Sequence, residues 1–255
     1  MTESGRRINV PAWVDLSSTD AAASRAFYGG LFGWSVEVNP DPQYGGYAIA
    51  RLGDTDVAGI GDQMQPGAPS AWMVYIGTAD AAALGEQVQA AGGQVVAPAF
   101  DIGDQGRMAV FQDPAGAFIS AWQPAGMGSF LTNRPNAFAW AELNSRDVER
   151  ALPFYASVFG WSDKRSPMPD GSEYVEFQKD GDSIAGGQAM NPMVPAEVPS
   201  YWGVYFGVED VDATYQRAIA GGAQEMLPPM DFPGGRFAIL GDPQGASFGI
   251  MKMEQ

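Results

Sequence analysis

The sequence predicts an α+β fold, a tandem repeat of paired βαβββ modules, and three observations carry that prediction. The first is a set of landmarks that recurs in order. Trp13-Val14-Asp15-Leu16, Asp20, Phe27-Tyr28 and Phe32-Gly33-Trp34 return as Trp140-Ala141-Glu142-Leu143, Asp147, Phe154-Tyr155 and Phe159-Gly160-Trp161, each 127 residues later. The second is a shared succession of local patterns: one extended segment, one helical segment, then three extended segments, performed twice in each half. The third is an Asp-Pro-x-Gly turn that closes each half, at Asp113-Pro114-Ala115-Gly116 and Asp242-Pro243-Gln244-Gly245. Trp72 and Tyr75 answer to Trp202 and Tyr205, and Arg107 to Arg236.

Taken in order, residues 10–16 read as a short strand, and Asp20 is placed to cap a helix running to about residue 31. Gly33 ends that helix, and residues 34–38 begin a strand. Residues 47–52 and 57–60 read as two further strands joined by a turn at Gly53-Asp54. A Pro/Gly-containing connector over 65–70 leads to a strand at 72–76. Residues 79–91 are helical by pattern, with Gly92-Gly93 as the stop. Strands follow at 94–97, 108–112 and 118–122, the last two joined by the Asp-Pro-Ala-Gly turn. The predicted domains are 1–124 and 135–255, with a linker at 125–134. Pro153 falls inside the predicted first helix of the second half, where it removes a backbone hydrogen bond and predicts a kink.

Composition excludes whole classes of chemistry. The 255 residues contain no cysteine and no histidine. Disulfide frameworks, thiolate nucleophiles, Ser-His-Asp hydrolysis, His-dependent zinc sites and facial-triad iron sites are therefore excluded. Thirty acidic against fourteen basic residues give a net charge of −16. That field repels phosphate backbones and anionic membranes, so neither a nucleic acid nor a membrane is expected as partner. No apolar run approaches the roughly 18 residues of a membrane span, and the polar first ten residues carry no signal-peptide pattern. A cytoplasmic protein is the expectation.

The paired βαβββ modules, with Asp20, Phe27, Tyr28, Gly33 and Trp34, their counterparts Asp147, Phe154, Tyr155, Gly160 and Trp161, and the two DPxG turns, resemble the vicinal oxygen chelate superfamily. That family includes glyoxalase I, extradiol dioxygenases and bleomycin resistance proteins. The tandem form is similar to actinobacterial two-domain proteins, some associated with aromatic polyketide pathways. The resemblance covers about residues 8–124 and 135–252, and implies two glyoxalase-like half-barrel domains with a ligand in each concavity. It also locates the family's metal ligands. The first-strand histidine position is occupied by Trp13 and Trp140, the fifth-strand position by Met73 and Gly203, and the closing glutamate position by Ser120 and Gly249. None of these is a strong ligand, so the resemblance implies that the metal has been lost, and no cofactor is expected.

Strand alternation sets Trp13 with Asp15, Trp140 with Glu142, Met73 with Tyr75, and Phe118 with Ser120 and Trp122 on common faces. In the second half the corresponding sets are Gly203 with Tyr205, and Ser247 with Gly249 and Met251. Where the former metal positions face the concavity, Trp13, Trp140, Met73, Phe118, Ser120, Trp122 and Met251 form an aromatic slot for a planar ligand. The alternative is that the two tryptophans plug a vestigial site. Asp15 and Glu142 are the acid–base candidates, because a carboxylate beside an indole in a dry site can have a raised pKa. Tyr75 and Tyr205 are the candidate hydrogen-bond donors. The competing reading makes both carboxylates strand-end residues that face solvent or cap a turn. Arg107 and Arg236 are expected to pair with Asp113 and Asp242.

Two functions fit. One is a metal-independent tailoring enzyme acting on a hydrophobic, polyketide-type aromatic molecule. The other is a non-catalytic protein that sequesters or carries such a molecule. Classical glyoxalase I activity is disfavoured by the missing ligands. Because the duplication already supplies two paired domains, a monomer or weak dimer is expected.

Overall fold

A computed structural model of the chain describes residues 7–63, 65–126, 130–168 and 171–253. Residues 1–6 of the leading segment and 127–129 of the predicted linker lie outside these described residues. The first half runs β1 (Pro11–Ser18), α1 (Ala21–Phe32), β2 (Ser35–Val38), β3 (Ala48–Leu52), β4 (Thr55–Asp62), β5 (Ala71–Gly77), α2 (Ala81–Ala90), β6 (Gln94–Ile102), β7 (Gly106–Gln112) and β8 (Phe118–Pro124). The second runs β9 (Phe138–Ser145), α3 (Val148–Phe159), β10 (Ser162–Pro167), β11 (Glu173–Lys179), β12 (Asp182–Ala189), β13 (Tyr201–Gly207), α4 (Val211–Ala220), β14 (Gln224–Phe232), β15 (Gly235–Gly241) and β16 (Ser247–Met253). The α+β class and the βαβββ repeat are as expected. No helix among the described residues is long and apolar enough to cross a membrane.

The strands form two eight-stranded sheets, ordered β2-β3-β4-β1-β5-β8-β7-β6 and β10-β11-β12-β9-β13-β16-β15-β14. In each module the first strand pairs in parallel with the last, as in Asp15 opposite Gly59 and Tyr75 opposite Ser120. The remaining strands form antiparallel hairpins. Strand β6 extends well past residue 97 because two register shifts, at 95/97 and 97/100, absorb Pro98 without ending the ladder.

The helix boundaries have local causes. Asp20 accepts a hydrogen bond from the Ala23 amide at 2.9 Å, and Asp147 accepts one from Arg150 at 3.0 Å. Gly33 and Gly160 end α1 and α3 with φ of 72° and 66°, a left-handed cap that glycine adopts without a Cβ clash. Helix α3 spans its full length with Pro153 inside it.

Packing divides the chain into two compact units. One gathers the described residues of 7–13, 74–126 and 141–202; the other gathers those of 14–73, 130–140 and 203–253. The second module thus shares a core with the third, and the first with the fourth. In the first unit, Tyr155 on α3 is fully buried, stacks on Trp161 at 5.4 Å, and lies edge-on to Trp202 at 5.4 Å. Its hydroxyl donates to Asp113 Oδ2 at 2.8 Å and accepts from the Trp202 indole at 2.8 Å. In the second unit Tyr28 repeats the arrangement, donating to Asp242 at 3.0 Å and accepting from Trp72 at 3.0 Å.

Those contacts overturn the expected Arg107–Asp113 and Arg236–Asp242 pairs. Asp113 Oδ1 is taken by the turn amides of Ala115 and Ala117, and Oδ2 by Tyr155. Asp242 is engaged likewise. Arg107 pairs instead with Asp101 at 2.9 Å, and Arg236 with Asp212 and Asp231, both at 2.8 Å. A buried carboxylate is served by groups that can be buried with it, and a strand guanidinium reaches the acids on its own surface.

Candidate functional site

The central first strand of each half carries one carboxylate. In β1, Asp15 is half-buried and lies opposite Gly59 of β4. Tyr47, which leads into β3, donates its hydroxyl to Asp15 Oδ2 at 3.2 Å. Gly59 makes that approach possible: a Cβ there would sit 1.8 Å from the Tyr47 hydroxyl oxygen. In β9, Glu142 is buried and lies opposite Gly186 of β12. Gln188 donates from Nε2 to Glu142 Oε1 at 2.9 Å and to Asn144 Oδ1 at 3.3 Å. The Tyr201 phenol has its pKa raised, first by burial and then by the Glu142 charge. One strand position thus holds a carboxylate twice, oriented once by a phenol and once by an amide.

The candidate tyrosines differ in what they cover. Tyr75 is buried opposite Ser120, whose hydroxyl is fully buried and makes no hydrogen bond among the described residues. Tyr205 is buried opposite Gly249, and its ring lies directly on that glycine: a Cβ there would be 2.0 Å from Cδ1 and 2.6 Å from Cγ. The Tyr205 ring also packs against Phe237 at 6.3 Å, and Phe237 pairs with the buried Met251. Trp13, Trp140, Met73 and Trp122 are half-buried, and Phe118 is exposed.

The predicted residues divide between the two units. Trp13, Tyr75, Phe118, Ser120, Trp122 and Glu142 belong to the first unit, and Asp15, Met73, Trp140, Tyr205 and Met251 to the second. Sequence reasoning missed Tyr47, Gln188 and Tyr201. Tyr47 did leave a signal, because Tyr174 stands 127 residues later and Gly59 and Gly186 follow at the same offset. Gln188 left none, since its counterpart is Gly61.

A family model described as the Glyoxalase/Bleomycin resistance protein/Dioxygenase superfamily matches residues 11–120 and 137–250. The putative glyoxylase CFP32 of Mycobacterium tuberculosis is 43% identical over 253 residues, covering 96% of this chain and 95% of that protein. The anthracycline biosynthesis protein DnrV of Streptomyces peucetius is 36% identical over 260 residues, covering 96% and 94%. Among solved structures, the Mn(II)-bound glyoxalase from Novosphingobium aromaticivorans superposes with a TM-score of 0.69 at 15% identity, covering 97% of this chain and 83% of that one. The 2,3-dioxygenase LapB from Pseudomonas sp. KL28 gives 0.69 at 15%, covering 98% and 94%. At such identities the two structures show the fold alone.

A divalent ion does not fit the donor set. Among the described residues no three of Asp and Glu are grouped to hold a metal. The positions that the family resemblance assigns to the metal ligands hold two indoles, a thioether, a hydroxyl and two glycines, and at Gly249 the Tyr205 ring occupies the space a side chain would need.

Proposed function

This chain belongs to the Glyoxalase/Bleomycin resistance protein/Dioxygenase superfamily, and on that footing we propose that it binds a hydrophobic, polyketide-type aromatic molecule and transforms it by metal-independent acid–base chemistry. The observation that carries the reading is Glu142, a buried carboxylate on a central strand, oriented through one oxygen by Gln188. A carboxylate held in this way is suited to take a proton from a carbon beside a carbonyl, and a buried phenol to donate to the oxygen that becomes negative. Asp15 and Tyr47 form the parallel pair in the first half, with Tyr75 and Tyr205 as further phenol donors. Trp13 and Trp140, on the same strand faces as the carboxylates, supply indole area for a planar ligand. DnrV, an anthracycline biosynthesis protein, supports an aromatic polyketide as the ligand class. The net charge of −16 supports a small molecule over a nucleic acid as partner.

The second reading is sequestration without turnover. The Tyr205 ring seated on Gly249 favours it, because that contact fills with packing a position that the resemblance assigns to a ligand.

Asp15→Asn and Glu142→Gln, made separately, distinguish the two. With a panel of anthracycline-type polyketides, an enzyme loses at least about 100-fold in turnover in one variant while ligand affinity, read by tryptophan fluorescence, stays within a few-fold. A sequestering protein binds and has no turnover to lose. Failure of every panel member to quench at micromolar concentration overturns the aromatic-ligand reading. Lactoylglutathione formation from methylglyoxal and glutathione that depends on added nickel or zinc overturns the metal-independent one.

A further inference from the structure

A cavity of about 280 Å³ lies between α2 and β6 in the first unit, apart from every residue of the proposed acid–base site. Ala81 and Gly85 of α2 line it with Val95 and Ala99 of β6, and Phe111 of β7 forms its floor. One of its lining residues, Gly85, is a glycine inside the helix. A glycine inside a helix costs about 1 kcal/mol relative to alanine, so it calls for a reason. Neither backbone nor crowding supplies one. The residue has no positive φ, and a Cβ would meet Val95 Cγ2 at 3.6 Å and Phe111 Cε1 at 3.8 Å, ordinary contact distances.

The internal repeat supplies the comparison. Helices α2 and α4 begin 130 residues apart, at Ala81 and Val211, and strands β6 and β14 begin the same 130 apart, at Gln94 and Gln224. Gly85 therefore corresponds to Tyr215, and Val95 to Glu225. In the second unit Tyr215 is buried and donates its hydroxyl to Glu225. A phenol ring thus fills in one module the position that glycine leaves open in the other.

We propose that the α2/β6 groove is a binding site for a free single-ring aromatic molecule of phenol size, occupying the place that Tyr215 takes in the repeat. Val95, Ala81 and Phe111 supply an apolar seat. Glu86 and Gln89, both exposed and three residues apart on α2, line the groove and place hydrogen-bond acceptors there for a phenolic hydroxyl. The volume suits one ring: an engineered cavity of about 150 Å³ binds benzene, while pockets for larger, drug-sized ligands start near 300 Å³.

Phenol itself is the probe, titrated into the ¹⁵N-labelled full-length chain and followed by amide chemical shifts. Saturable shifts are expected at Gly85, Gln89 and Val95 with Kd on the order of 1 mM, the range open to a seven-atom ligand on an open groove. Gly85→Tyr fills the groove as the second unit does and abolishes those shifts, with no fall in Tm. Gly85→Ala, whose Cβ the groove accepts, weakens binding several-fold and keeps the proposal testable should the larger side chain fail to fold. Non-saturable shifts, shifts that map elsewhere, or a phenol isotherm unchanged in Gly85→Ala overturn the proposal.

Discussion

Tyr155→Phe tests the docking of α3 onto the DPxG turn of the second module. The change removes one oxygen and leaves the ring stacks on Phe159 and Trp161, so packing is nearly conserved and the hydrogen bonds are isolated. Two bonds are lost, each 2.8 Å long. The bond to Asp113 has a carboxylate acceptor and contributes about 1.5–3 kcal/mol, and the Trp202 indole N–H is left buried without its acceptor at about 1–3 kcal/mol. Allowing for relaxation, the expected loss is about 2–4 kcal/mol. It is read as a lowered urea midpoint at unchanged slope. The pH dependence has a definite sign. Burial raises the Asp113 pKa above its usual 3.8, although the turn amides and Tyr155 oppose the rise. The folded state therefore binds more protons than the unfolded state between those two values, and stability falls as pH increases through that window. Removing the Tyr155 hydroxyl removes one of the opposing interactions, so the variant loses more at neutral pH than at pH 4. A loss under about 0.5 kcal/mol, within the range of ordinary surface substitutions, would refute the reasoning, as would a loss independent of pH.

Further expectations follow from the same contacts. Tyr28 and Tyr155 hold their protons well above the usual 10.0, first through burial and then through Asp242 and Asp113. The unfolded chain releases those protons near 10.0 while the folded one retains them, so stability falls as pH rises above that value. Part of the tyrosinate absorbance should then appear only in step with loss of circular dichroism; full reversible titration near 10 with the fold intact contradicts this. Gly249→Ala brings a Cβ against Cδ1, Cε1 and Cγ of Tyr205, so a ring flip cannot relieve it and the side chain must leave its rotamer. A loss of about 1–3 kcal/mol is expected in thermal unfolding. Arg107→Ala breaks only an exposed pair with Asp101 and should change stability by less than about 0.5 kcal/mol, whereas a pairing with buried Asp113 would make it far more damaging.

Much of the fold was legible because its signals are local. The caps at Asp20 and Asp147 act within three residues, the glycines at 33 and 160 within one, and the DPxG aspartates bond amides two and four residues ahead. For the candidate site, the sequence named residues but not their partners. Strand alternation set Asp15 beside Trp13 and Glu142 beside Trp140, but nothing local announces that Tyr47 reaches Asp15 across Gly59, 32 residues away, or that Gln188 reaches Glu142 across 46. The missed arginine partners have the same origin. Arg107 and Asp113 are close in sequence and opposite in charge, yet the partner of Asp113 comes from α3.

The sequence by itself determined the module, its repetition and the absence of histidine or cysteine chemistry, since residue types and short spacings suffice for each. Only the tertiary structure decided which modules share a core, second with third and first with fourth. It also decided that the DPxG carboxylates answer to tyrosines 42 and 214 residues distant. The reason is physical: a buried carboxylate can accept from a guanidinium or from a phenol, and the choice falls to whichever donor the packing of apolar faces buries beside it.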